Sequence, residues 1–293
     1  MNDNHWMVER FEEHRAHLRA VAYRMLGSLS EAEDAVQEAW LRLSRADTSD
    51  VENMGGWLTT VVARVCLNML RSRTTRREDP LEAHLPDPVV SLEHRADPQE
   101  QALLADSVGL ALLVVLDTLS PAERLAFVLH DMFAVPFDEI APIVGRSATA
   151  TRQLASRARR RVQGEARVPD ADMARQRAVV DAFFAAARDG DFEALVSVLD
   201  PDVVLRSDRG VEGSVVLRGA AAVAGQALMF AGPSRTAWPA VVNGAAGVVV
   251  TVEGRPVSVM SFTVNDGRVV AIDALGDPER LRTLALDRIA DEP

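Results

Sequence analysis

With 293 residues, 48% of them hydrophobic and 26% charged, and a mean hydropathy of +0.00, the chain has the make-up of a folded protein of two or three domains, which excludes a disordered or fibrous polymer. Its 43 acidic residues against 32 basic ones give a net charge of −11, so nucleic acid has no general attraction for it and any such binding must come from local patches. No apolar run approaches the ~18 residues of a membrane span, residues 1–15 carry no secretory or transit pattern, and the single cysteine, Cys66, excludes an internal disulfide or a multi-thiolate metal site and suits a reducing cytoplasm.

All 32 basic residues are arginines, rigid and always charged. In chain order, Ser30-Glu31-Ala32-Glu33 reads as a capping box. Behind it Ala32, Ala35, Val36, Ala39, Trp40 and Leu43 make an apolar stripe at helical spacing, opposite Asp34, Gln37, Glu38 and Arg42. Residues 57–77 then hold five arginines (Arg64, Arg71, Arg73, Arg76, Arg77) and no acid. Residues 78–104, with Pro80, Pro86, Pro88, Pro98 and several acids, read as a linker. Ser120-Pro121-Ala122-Glu123 is a second capping box, with proline at the first helical position, opening a helix through Leu125 to Asp131.

A short helix from Pro136 ends at Gly145, and Ser147 is placed to cap the next one. In that next helix Thr151, Leu154, Ala155, Ala158 and Val162 form the apolar face, while Thr149, Arg152, Gln153, Ser156, Arg157 and Arg160 share the other. A donor-rich, acid-free face is what the major groove asks of a recognition helix: arginine forks onto guanine, glutamine onto adenine, and the rest onto phosphates. The plain alternative is a solvated basic helix. The linker, at ~3.1 Å per residue, would extend about 80 Å, enough to place modules more than one ~34 Å DNA turn apart.

Phe127-Val128-Leu129-His130-Asp131, then Phe137-Asp138-Glu139-Ile140-Ala141 and Arg152-Gln153-Leu154-Ala155-Ser156-Arg157-Ala158-Arg159, resemble region four of bacterial extracytoplasmic-function (ECF) sigma factors. Tyr23-Arg24-Met25-Leu26-Gly27-Ser28, the segment 32–43 and Trp57-Leu58-Thr59-Thr60-Val61-Val62-Ala63-Arg64 onward to Arg71 resemble region two. The resemblance implies that Asp34, Gln37 and Glu38 dock on the clamp helices of the RNA polymerase β′ subunit, and that region four meets the β flap. It further implies that Asn68, Arg71 and Arg73 handle the −10 element of promoter DNA, with the loop 44–55 receiving an unstacked base, while the helix carrying Arg152 reads the −35 element. The family often has Asn and Asp where this chain has Val65 and Asn68. Trp57, Cys66 and His130 read as packing residues.

After Val168 the texture changes. Segments 173–188 and 192–199 are helical in pattern, and 203–206, 236–242, 247–252, 256–264 and 269–274 are β-branched runs, with Asn265-Asp266-Gly267 as a hairpin signal. This is an α+β pattern with a strongly bent antiparallel sheet. Gln176-Arg177 through Phe183 to Leu199 resembles the opening helices of SnoaL-like, NTF2-like domains. In the sigma-J-like group of ECF factors such a domain tunes activity in cis, through a linker motif that His84-Leu85-Pro86-Asp87-Pro88 approximates and a tail motif that Asp277-Pro278-Glu279-Arg280-Leu281 approximates. Leu85, Pro86, Asp87 and Pro88 are therefore expected to meet Asp277, Pro278 and Leu281. The group's glycine-rich motif survives only as Ser207-Asp208-Arg209-Gly210.

The expected protein is thus multidomain: region two (1–77), linker (78–104), region four (105–168) and an α+β SnoaL-like cone (169–293), with no cofactor or metal, no membrane partner, and an anti-sigma factor or small ligand as further partners. Two other readings stay open. One is a one-component helix-turn-helix regulator that works without polymerase. The other is an NTF2-like enzyme using Asp202, Asp208, Glu212 or Asp273 beside Trp238, although every histidine lies at or before His130 and the only tyrosine is Tyr23.

Overall fold

The structure is a computed structural model describing residues 3–46, 51–76, 85–91, 109–165, 170–232, 234–284 and 286. Arg77, His84, part of the 44–55 loop and most of the expected linker lie outside the described residues. The chain divides into two compact units, one built from 1–79 and 115–165, the other from 80–114 and 166–293.

The first unit is helical. Helices α1 (Asp3–Leu26), α2 (Leu29–Leu43) and α3 (Met54–Arg76) pack on one another. The cap of α2 differs from the sequence expectation: Ser28, not Ser30, is the N-cap, and its hydroxyl accepts the Glu31 N–H. Ser28-Leu29-Ser30-Glu31 has the same Ser-x-x-Glu spacing two residues earlier, and α1 stops at Gly27 with φ 73°, so the chain turns early enough for Ser28 to fill the role. The expected stripe is buried at Ala32, Ala35, Val36, Ala39 and Leu43, and half-buried Trp40 lies against Phe11 at 5.1 Å between ring centres.

Helix α4 spans Leu110–Asp117. Helix α5 (Pro121–Phe127) opens on Ser120 with both halves of the capping box formed. It runs into one π-helical turn, Val128–Met132, where an unbroken α-helix was expected. Helix α6 (Phe137–Val144) ends at Gly145, whose φ of 75° is the left-handed conformation that glycine adopts without strain, and α7 (Ala148–Glu165) follows. Within this unit the buried Arg124 of α5 donates to the Arg24 carbonyl of α1 (3.2 Å) and pairs with Asp117. Phe133 takes the edge of His17 and the guanidinium of Arg24, 5.0 Å from its ring centre.

The second unit carries a seven-stranded sheet in the order β1-β4-β5-β6-β7-β2-β3. Its strands are β1 (Val90–Ser91), β2 (Leu199–Asp208), β3 (Ser214–Arg218), β4 (Arg235–Val242), β5 (Ala245–Val252), β6 (Arg255–Asn265) and β7 (Arg268–Leu275). Helices α8 (Met173–Asp189), α9 (Phe192–Val198) and α10 (Ala220–Phe230) cover one face, and α11 (Pro278–Thr283) follows β7. This is the α+β arrangement implied by the SnoaL-like resemblance. Three two-residue hairpins, at Asn243-Gly244, Glu253-Gly254 and Asp266-Gly267, have positive φ at both residues, the primed turn that matches strand twist. The pairing is antiparallel as expected except between β2 and β7, which run parallel because a long crossover joins them.

Strand alternation gives the sheet two different faces. Val203, Leu205, Val248, Val250, Phe262 and Ile272 pack under α8–α10, centred on Phe183, Phe184 and Phe262 with ring centres 5.5–5.8 Å apart. On the opposite face Ala240, Val242, Val249, Val259 and Leu275 are covered by Leu281 and Leu286, with Val90 beside them. The segment expected to be a free linker thus supplies an edge strand: Val90 and Ser91 pair with Val242 and Val241. Its apolar Leu85, Val89 and Val90 among the prolines are what the sheet retains.

Candidate nucleic-acid interface

Helix α7 is set against α5 and α6 by its buried face, Thr151, Ala155 and Ala158. The Ser147 hydroxyl accepts the Ala150 N–H at its start. Of the six residues expected to face DNA, Thr149, Arg152, Gln153, Arg157 and Arg160 are exposed and Ser156 is half-buried. They lie on one side of the helix, with no acid among them, but the arginines are not equivalent. Arg152 stacks its guanidinium over Phe137, 5.2 Å from the ring centre, and Phe137 stacks in turn on His130 at 3.7 Å. Arg157 donates from Nε to Glu123 Oε1 at 3.0 Å. Arg159, on the flank, grips Asp131 with Nε and Nη2 at 2.9 and 2.6 Å, and Arg161 reaches the Thr118 carbonyl at 3.1 Å. Arg160 donates to the Ser156 carbonyl at 3.4 Å.

On α2, Asp34 and Gln37 are exposed and Glu38 is half-buried, bound to Arg42 at 2.8 Å. The spacing places Leu41, 45% exposed, in the middle of this polar face. The sequence reading passed over Leu41; the signal was a leucine standing outside the apolar stripe. On α3, Asn68 and Arg71 are exposed, with Arg71 3.5 Å from the Val144 carbonyl. Arg73 is held by Glu31 and by the Leu26 carbonyl at 3.4 Å. Glu38, Asn68 and Arg73 are brought together along one cleft of about 520 Å³ whose remaining walls are Glu31, Arg42, Val65, Met69 and Ser72. Its two carboxylates and two guanidiniums balance, so the cleft has hydrogen-bonding edges without a strong net charge. Val65, where the family often has a polar residue, lies in its floor.

In the second unit the expected linker and tail residues meet through a residue that the sequence reading quoted but did not single out. Arg280 donates to Asp87 from Nε and Nη2 (2.8 and 2.6 Å), to Asp208 from Nη1 (2.8 Å) and to the Leu85 carbonyl (2.6 Å). Asp208 also accepts the Leu85 N–H at 3.0 Å, and Asn243 exchanges two hydrogen bonds with Val89. Leu85, Pro86, Asp87 and Pro88 are all buried. Asp277 caps α11, Pro278 is its first residue and Leu281 packs on the outer face of the sheet. Buried charges of this kind persist only when paired and hydrogen-bonded. Asp208, weighed above as a candidate acid, is therefore a structural anchor. Asp273 pairs with Arg206 at 2.9 Å and Trp238 donates to Thr251 at 3.0 Å, both on the face turned away from the covering helices, while Asp202 is exposed. Among the described residues no group of three or more His, Cys, Asp or Glu is arranged to hold a metal, and no helix is long and apolar enough to cross a membrane.

A helical bundle with an exposed polar face on α2, followed by a helix-turn-helix whose second helix carries an acid-free face, is the arrangement of an RNA polymerase sigma factor. Residues 10–76 match the family Sigma-70 region 2 and residues 109–162 the family Sigma-70, region 4. Over 275 residues the chain is 38% identical to the probable ECF RNA polymerase sigma factor SigI of Mycobacterium tuberculosis, covering 92% of this chain and 93% of the relative. It is equally 38% identical over 290 residues to the ECF RNA polymerase sigma factor SigJ of that organism, covering 93% and 92%. The crystal structure of SigJ superposes with a TM-score of 0.77 at 36% identity, over 95% of this chain and 99% of that one. The chain belongs to the ECF RNA polymerase sigma factor family, whose members are transcription initiation factors rather than enzymes.

Proposed function

We propose that the chain directs core RNA polymerase in the cytoplasm to promoters whose −35 element is read by the outer face of α7, between Thr149 and Arg160. The observation that carries this is that face itself: donor-rich, acid-free and exposed on a chain of net charge −11, presented by a helix-turn-helix whose turn is fixed at Gly145. Asn68, Arg71 and Arg73 serve the −10 element, with the loop 44–55 receiving an unstacked base. Asp34, Gln37 and Glu38 dock on the β′ clamp helices, with Leu41 as the apolar contact at their centre, and region four meets the β flap. Residues 1–77 and 105–168 act as the two promoter modules, and 169–293 tunes them in cis through the segment 85–88 held by Arg280.

A regulator independent of polymerase has no use for the α2 face. An enzyme of the SnoaL-like kind finds no free carboxylate under the helices at Asp208 or Asp273, since both are paired on the other face. Run-off transcription with purified core polymerase tests the reading, using the full chain and residues 1–168. Promoter-specific initiation that changes in level on truncation is expected. Failure of both forms to associate with core polymerase overturns it, and specific duplex binding without any such association establishes the one-component regulator instead.

A further inference from the structure

We propose that the recognition helix divides its arginines between two jobs: Arg152 reads bases together with Gln153 and Arg160, whereas Arg157 and Arg159 are positioning residues that brace α7 and carry no sequence information. The inference rests on the reading of α7 as the −35 helix and asks which of its side chains select the sequence.

At ~100° per residue, Thr149, Gln153, Ser156 and Arg160 fall in a sector about 60° wide, with Arg152 on one flank and Arg157 on the other. The two flanking arginines are held in chemically different ways. The Arg152 guanidinium carbon lies over the Phe137 ring, a contact that engages the π-face and spends no N–H donor, so the fork that a guanine edge requires is not consumed by it. Arg157 instead spends its Nε donor and its charge on Glu123. That carboxylate is not a loose surface acid. Its side chain is only 16% exposed, and its other oxygen closes the α5 capping box by accepting the Ser120 hydroxyl at 2.7 Å and the Ser120 N–H at 3.3 Å. Burial works against the charge on Glu123, yet the Ser120 hydrogen bonds and Arg157 together hold its carboxyl below the usual range.

Moving Arg157 onto a base would strip Glu123 of its counter-charge and leave an uncompensated carboxylate at the edge of a surface that must approach phosphates. The Arg157–Glu123 pair therefore does two things: it ties the middle of α7 to the start of α5, and it neutralises an acid on that flank of the DNA face. Arg159 does the same on the other flank, with two donors on Asp131, a residue of the π-helical turn. The recognition helix is thus fastened on both sides by arginine, and the sector between the fastenings is what remains to select sequence.

The test uses the full chain with core polymerase and promoter duplexes randomised at the −35 element with a constant −10 element. Arg157→Ala and Glu123→Gln are expected to weaken binding about two- to tenfold by the same factor on every sequence, leaving the preference profile unchanged. The double variant should be no worse than either single one, and Arg157→Lys, which keeps the ion pair but not the fork, should restore binding. Arg152→Ala and Gln153→Ala should each lower preference at one or two positions by about 5- to 150-fold. A changed preference at a single position for Arg157→Ala that Lys does not rescue, or tighter cognate binding for Glu123→Gln, overturns the brace. A flat profile for Arg152→Ala and Gln153→Ala as well overturns the −35 reading of α7 itself, and the division of labour with it.

Discussion

Cys66 sits in the core of the helical unit, and burial pushes its thiol up to about 12. Since the thiolate is the nucleophile, the native chain should resist a thiol reagent at pH 8 and react fully in denaturant. Rapid labelling of the folded protein would show that α3 opens readily. A second buried group whose carboxyl is shifted is Asp273. Burial raises its carboxyl and Arg206 only partly offsets this. With the folded value above the unfolded one, the acid favours the fold most when protonated, and that contribution falls as pH climbs from the unfolded value through the folded one. Arg206→Ala removes the counter-charge. It should destabilise the sheet unit by roughly 3–5 kcal/mol at pH 7 and by clearly less near pH 4, since the raised Asp273 carboxyl takes up its proton more readily than an ordinary carboxylate as the pH falls. Calorimetry at the two pH values checks this, and an equal loss at both would show that Arg206 matters through packing alone.

At the scale of elements, the sequence was readable wherever periodicity and caps agreed. The α2 stripe, the Ser120 capping box, the Gly145 turn and the five β-branched runs all appear where local patterns place them. What escaped was set by tertiary partners. Either serine satisfied the α2 capping pattern, and the choice of Ser28 came from where α1 ends. Ser28→Ala should therefore cost about 1 kcal/mol in a chemical denaturation of the chain, and Ser30→Ala clearly less. The linker looked like a tether because prolines and acids dominate it, and only the β4 edge and Arg280 show that residues 85–91 are bound. A double-mutant cycle on Asp87→Asn and Arg280→Ala should give a coupling of at least ~1 kcal/mol, since each partner is largely buried. Additive losses would mean that Arg280 works through Asp208 alone.

For the whole molecule, the two proposed DNA surfaces raise a problem of reach. The helical unit places α3 and α7 in one compact body, fastened by Arg124 on the Arg24 carbonyl and by Phe133 between His17 and Arg24. A body of this size has a radius of gyration near ~14 Å. The centres of a −35 and a −10 element are about 80 Å apart at ~3.4 Å per base pair. No rigid version of this unit spans that distance, so region two and region four must separate when both elements are engaged. The contacts to be broken include the buried Arg124 on the Arg24 carbonyl, Arg71 on the Val144 carbonyl, Phe133 against His17 and Arg24, and the packing of α3 on α5 and α6. Dyes on Ser72 of α3 and Gln163 of α7 should report a short distance in the free chain and one more than twice as long in the promoter complex with core polymerase. Arg124→Ala should shift the free chain towards the longer distance. If transcription-competent complexes kept the short distance, the −35 and −10 surfaces could not both belong to this one chain, and the assignment of α3 would have to be given up before that of α7.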